Sequence, residues 1–136
     1  MKKLLLIALI ISSQSMAKHL NTEKYYQKIH CDAVRGKTEV LIHKNRRVDC
    51  LTAKYAIEHD FASKAYECTG QANYYAEITN KIPVCALIFE SESDNKYLDI
   101  VTTLQKRQQD LQLVKLYRTP NGVRCESKNK ELCGSL

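Results

Sequence analysis

The apolar and polar positions of the chain switch between helical and strand periods. From residue 20 to about 34, Tyr25, Tyr26, Ile29 and Ala33 supply an apolar side at helical spacing. Asn21 or Thr22 can cap that helix, and Gly36 can end it. Residues 38–42 then read as a strand and Lys44-Asn45 as a turn. Two apolar-framed runs follow, 48–51 and 55–58, and Thr52, Ala53 and Lys54 suffice to close a hairpin between them. From Ala62 to about Asn80 the small residues Ala62, Ala65, Thr69, Ala72 and Ala76 fall on one helical face, which suits close approach to a sheet. Pro83 marks a break. Residues 84–89 form a nearly continuous apolar run, the pattern of a strand buried on both faces. A helix at roughly 97–109, a strand at 111–117 and a turn at Pro120-Asn121-Gly122 complete the order. The pattern predicts an α/β domain, a mixed sheet with helices on its faces.

Polar groups gather around the middle of this order. Asp49 lies near the end of one short strand and Glu58 near the end of the next, and antiparallel neighbours bring such side chains within a few ångströms. Two carboxylates that close repel unless a cation sits between them or one keeps its proton. On the following helix Lys64, Gln71 and Tyr75 share a second face, within roughly 40° of one another. Asp60, just ahead of the helix, is placed to cap it, and could instead give a further ligand oxygen.

At these residues the chain resembles the PD-(D/E)XK nuclease superfamily, which includes restriction endonucleases, Holliday-junction resolvases and RecB-type nucleases. The family pattern is an acid ending one strand, an acid-x-lysine on the next, then a helix that in the RecB-type branch carries Gln-x-x-x-Tyr. Gln71-Ala72-Asn73-Tyr74-Tyr75 fits that last motif, whereas Glu58-His59-Asp60 has an aspartate where the lysine stands. Some branches carry the lysine on the helix, and Lys64 matches that position. The resemblance implies a restriction-endonuclease-like αβββαβ core. It implies Asp49 and Glu58, with the backbone carbonyl of His59, as ligands of Mg2+ or Mn2+, and Lys64 as the third catalytic group. Gln71 and Tyr75 would touch substrate. Glu39, and less so Glu23, are candidates for the outlying acid of many members. The implied partner is nucleic acid, DNA first. Because the lysine is displaced, a catalytically inactive nuclease scaffold that binds DNA or a protein is the alternative.

The ends of the chain change the picture in two ways. Met1-Lys2-Lys3 followed by an apolar run and Ser15-Met16-Ala17 reads as a secretory signal peptide over residues 1–17, too short to span a bilayer. Removing those 17 of 136 residues leaves 119, and lowers the formal charge from +6 to +4. The expected product is periplasmic or secreted, with no stable membrane association. It would comprise a nuclease-like domain over residues 18–119 and a tail over residues 120–136. All six cysteines lie in the remainder, and their even number behind a signal peptide argues for disulfides. Cys125 with Cys133 is the one pairing that sequence proximity favours; Cys31, Cys50, Cys68 and Cys85 stay open. No Cys-x-x-Cys pair supports zinc, and His19, His30, His43 and His59 are scattered without ligand spacing. Between Leu104 and Leu136, Lys106, Arg107, Lys115, Arg118, Arg124, Lys128 and Lys130 outnumber the acids, an excess a polyanion would meet with counterion release.

Overall fold

A computed structural model describes residues 18–136, so the expected signal peptide lies outside the described residues. Thr22 caps the first helix, α1 (Glu23–Ala33), through its hydroxyl, which accepts the Tyr25 N–H. Three antiparallel strands follow, β1 (Lys37–Leu41), β2 (Arg47–Leu51) and β3 (Tyr55–Phe61). A 3-10 turn at Ala62–Lys64 leads into α2 (Ala65–Thr79), which the left-handed Asn80 closes. Next come β4 (Ile82–Phe89), a 3-10 stretch at Glu92–Tyr97, α3 (Leu98–Gln105), β5 (Gln112–Thr119) and β6 (Gly122–Ser127). The strands form one mixed sheet in chain order. β4 runs parallel to β3 and β5, and β6 returns antiparallel to β5. The expected α/β order, helix, three strands, helix, strand, is therefore present.

The core has two layers because β3 and β4 are covered on both faces. Ile57, Val84, Ala86 and Val114 pack with Tyr26 of α1 on one side. Cys85, Leu87 and Phe89 pack with Ala62, Ala65 and Val101 on the other, where α2 and α3 lie. The small face of α2 does what its pattern predicts: Ala65, Thr69, Ala72 and Ala76 are all buried. Three disulfides tie the layers together. Cys31–Cys50 joins α1 to β2, Cys68–Cys85 joins α2 to β4, and Cys125–Cys133 closes the C-terminal loop, as sequence proximity suggested. Such bridges fit an oxidising compartment.

Several boundaries differ from the sequence pattern. Pro83 does not break the chain: it lies inside β4, opposite Ala56. The Ile82 N–H is spent on the Lys54 carbonyl, so the imide nitrogen of Pro83 faces the β5 side, where pairing begins only at Val84. The third helix is shorter than 97–109. It begins after a capping box of Ser91 and Asp94, and carbonyls of Thr103 and Leu104 turn the chain off at Lys106 to Gln108. Asp60 does not cap a helix, since its carboxylate takes the adjacent Phe61 N–H and the turn at Ala62 starts without a side-chain cap. The tail is no appendage. It contributes β6, and Leu132 is buried in the core against α1's side of the sheet.

Two glycines test this packing in opposite directions. A Cβ on Gly36 would overlap both sulfurs of the Cys31–Cys50 bridge, whereas one on Gly70, within α2, would meet nothing within 4 Å. In urea unfolding of the oxidised protein, Gly36→Ala is expected to cost about 1–3 kcal/mol by overpacking. Gly70→Ala should add about 0.5–1 kcal/mol by restricting the unfolded chain in a helical position.

Candidate functional site

The site begins where the sheet opens. β1 pairs with β2 at Thr38–Cys50 and Val40–Val48, which sets Glu39 opposite Asp49. β2 pairs with β3 at Cys50–Ile57 and Leu51–Ala56, and the same register would set Asp49 opposite Glu58, where the pairing stops. Glu39 has a left-handed backbone (φ 53°), uncommon for a residue with a Cβ, and such an interruption bends a strand. Side chains replace the lost ladder bonds. The Asp49 N–H donates to Glu58 Oε1 at 3.2 Å, and the His59 N–H donates to Asp49 Oδ2 at 2.8 Å. From α1, Gln27 Nε2 donates both to the Asp49 carbonyl (2.8 Å) and to Glu39 Oε1 (2.9 Å). Three acids thus stand in a row across three strands.

Their electrostatics are those of crowded, poorly hydrated carboxyls. Glu58, 4% exposed, is pushed up to about 9 by burial and by repulsion from Asp49. Burial raises Asp49 to about 7, with Glu23 and Glu39 adding to the shift and the His59 N–H opposing it. Asp60 is raised to about 7 by burial and by Glu23, against the pull of Lys64. Two cations and a phenol border the group. Arg47 Nη1 donates to the Glu39 carbonyl, and Lys64 Nζ lies 3.7 Å from Asp60 Oδ1. Tyr75 is buried against Val48, Ala56 and Ala76, and its hydroxyl is raised by burial and by the nearby Glu58 charge.

The residues singled out in the sequence are therefore brought together unequally. Asp49, Glu58, Asp60, Glu39 and Tyr75 share one neighbourhood. Lys64 is half-exposed and approaches Asp60 rather than Asp49 or Glu58. Gln71 is exposed on α2 and makes no hydrogen bond among the described residues. Glu23, set aside in favour of Glu39, reaches both Asp49 and Asp60 from the first turn of α1. Gln27 carried no motif, and only a buried polar position on the helix's inner face would have flagged it. The histidines are not all scattered: His30 Nδ1 and His59 Nε2 are 2.8 Å apart in the core.

The donor set is one of hard oxygens. Among the described residues no group of three or more His, Cys, Asp or Glu side chains is arranged to hold a metal ion. A fully protein-built cage is thus not offered. Two close carboxylates suit either a shared proton or a small divalent ion that keeps several waters; the Asp49 charge raises Glu58, whereas Glu58 lowers Asp49 through a side-chain hydrogen bond. No known family model, curated protein or solved structure matches the chain.

The raised acids set a sign for stability against pH. A carboxyl whose folded pKa exceeds its unfolded value binds more protons when folded, so stability falls as pH rises between the two values. His30 and His59 are lowered by burial, and their opposing effect is confined to pH below about 6.5. Between pH 6.5 and 9 the metal-free protein should therefore lose stability steadily. Glu58→Gln keeps an acceptor for the Asp49 N–H, and should flatten that slope and gain on the order of 1–3 kcal/mol at pH 8. Denaturant melts across that range, with and without the substitution, check both.

Proposed function

We propose that the protein is an exported, Mg2+- or Mn2+-dependent nuclease of the PD-(D/E)XK kind, hydrolysing phosphodiester bonds of nucleic acid, DNA first. The observation that carries this reading is the row Glu39, Asp49 and Glu58 across an interrupted ladder, followed by a 3-10 turn ending at Lys64 and a helix bearing Tyr75. That succession combines a strand-strand-helix order with two close carboxyls, of which Glu58 is raised by burial and by the Asp49 charge. Asp49 and Glu58, with the His59 carbonyl, would hold the ion. A divalent cation held there would polarise the scissile phosphate and lower the pKa of a bound water.

The remaining roles belong to the chain's own groups. Lys64, flexible and held near the acids by Asp60, would carry its ammonium to the phosphate oxygens as negative charge builds there. Tyr75 would brace Glu58, and the exposed Gln71 would meet the sugar-phosphate backbone. A groove of about 810 Å3 between α3 and the β5–β6 hairpin carries Lys106, Lys128 and Lys115, the last paired with Glu126 of the same lining, and shares no residue with the acidic row. The outward position of Lys64 also favours a second reading, a nuclease scaffold that binds nucleic acid without cutting it.

Incubation of the oxidised protein with plasmid and single-stranded DNA separates the two. Cutting should require Mg2+ or Mn2+, stop with chelator, and fall about a hundredfold or more in Asp49→Asn and Glu58→Gln. Lys64→Ala should lose about tenfold or more while leaving the folded state intact. Retarded migration without cleavage in any metal would favour the scaffold reading; neither effect would remove both.

A further inference from the structure

The groove beside α3 exists because that helix is too short for the sheet face beneath it. α3 has eight residues and spans about 12 Å, whereas β5, also of eight residues, runs about 26 Å, and β6 widens the face further. The half-buried Leu98 and Leu113 and the buried Leu111 are left along the floor. Both sides of the opening are pinned. Gln105 Nε2 donates to the Leu111 carbonyl at 2.8 Å, and Ser127 Oγ donates to the Leu113 carbonyl at 3.0 Å. At about 810 Å3 the space falls within the usual range for small-molecule sites, which are largely preformed and combine apolar surface with a few polar groups.

The charged groups of the lining, Lys106, Lys115, Lys128 and Glu126, fix the sign of an occupant. The Glu126 carboxylate is already spent. Lys115 Nζ lies 3.0 Å from its Oε2, and Arg124, whose guanidinium sits 4.4 Å from the centre of the Tyr117 ring, holds its Oε1. Lys106 and Lys128 are exposed and enter no ion pair among the described residues. The carbonyls of Thr103 and Leu104, at the end of α3, are taken by the N–H groups of Lys106, Arg107 and Gln108, so they do not stand bare against an anion. No aromatic side chain lines the groove, so nothing there stacks a nucleobase, and its apolar surface is aliphatic. We propose that the groove is a binding site for an alkyl carboxylate, its chain laid on Leu98, Leu111 and Leu113 and its head met by Lys106 and Lys128. The lysine stems add aliphatic cover while their ammonium groups stay at the rim. The site shares no residue with the acidic row and does not depend on the nuclease reading.

Titration of the oxidised protein with sodium decanoate, followed by 1H–15N correlation of the backbone amides, tests this. Below its micelle concentration decanoate should shift Leu98, Thr102, Gln105, Leu113 and Lys128 first and saturably, with a Kd on the order of 0.1–1 mM. Hexanoate should bind about tenfold or more weakly, because the shorter chain leaves part of the leucine floor uncovered. Combining Lys106→Gln with Lys128→Gln changes two exposed side chains and should weaken decanoate by about tenfold or more with the fold intact. Thymidine 5′-monophosphate, an anion with a base in place of the chain, should act on the same amides at least about tenfold more weakly than decanoate. The proposal is overturned by the absence of a saturable shift at about 10 mM decanoate, or by shifts centred outside the groove. Equal affinity for hexanoate, unchanged affinity in the double variant, or nucleotide binding as tight as that of decanoate overturns it as well. DNA cutting is a separate readout, so failure here leaves the nuclease reading standing, and failure there leaves this site standing.

Discussion

The backbone gap between β2 and β3 is the constraint on which the rest of the site depends. A sheet strand normally gives each buried N–H to a neighbouring carbonyl, and leaving one unpaired costs as much as a lost hydrogen bond. Here the N–H groups of Asp49 and His59 are taken by carboxylates instead, Glu58's and Asp49's. The acids are therefore structural and chemically exposed to one another at once. Neither can be moved without orphaning a buried amide, so their closeness is built into the ladder rather than left to flexible side chains.

Such a site is costly, and the surrounding frame offsets the cost. Two disulfides bracket the gap: Cys50 follows Asp49 directly and is tied to α1, and Cys68 ties α2 to β4. Bridges closing loops of this length contribute about 3 kcal/mol each by limiting the unfolded chain. α1 contributes more than apolar cover. It delivers Gln27 to the broken ladder, Glu23 to the acid cluster and His30 to His59, which makes one helix face the partner of nearly every polar group in the region. A residue in the left-handed region at Glu39 is the kind of local strain that survives only where its surroundings over-determine it.

Local signals in the chain carried the fold well and the site in part. The unbroken run at 84–89, the small face of α2 and the cap at Thr22 each follow from a period or a residue type, and each is present in the structure. Asp49 and Glu58 were legible because hairpin register brings them opposite one another within ten residues. What was hidden depends on long-range placement. His30 and His59 lie on a helix and a strand that pack only through the fold, and Gln27 resembles any polar helix residue until β2 opens beneath it. β6 was missed because Arg124 and Glu126 make it look solvated, although Cys125 between them faces the core. Pro83 misled because the rule against proline in strands lapses where no neighbour needs its N–H.

The proposal that the broken ladder forms a two-carboxylate cation site is most directly tested by paramagnetic broadening. Substoichiometric Mn2+ should erase the backbone amide signals of Asp49, Glu58, His59 and Asp60 first, and spare them when Asp49→Asn and Glu58→Gln are combined. Broadening that begins elsewhere, or that persists unchanged in the double variant, would contradict the account.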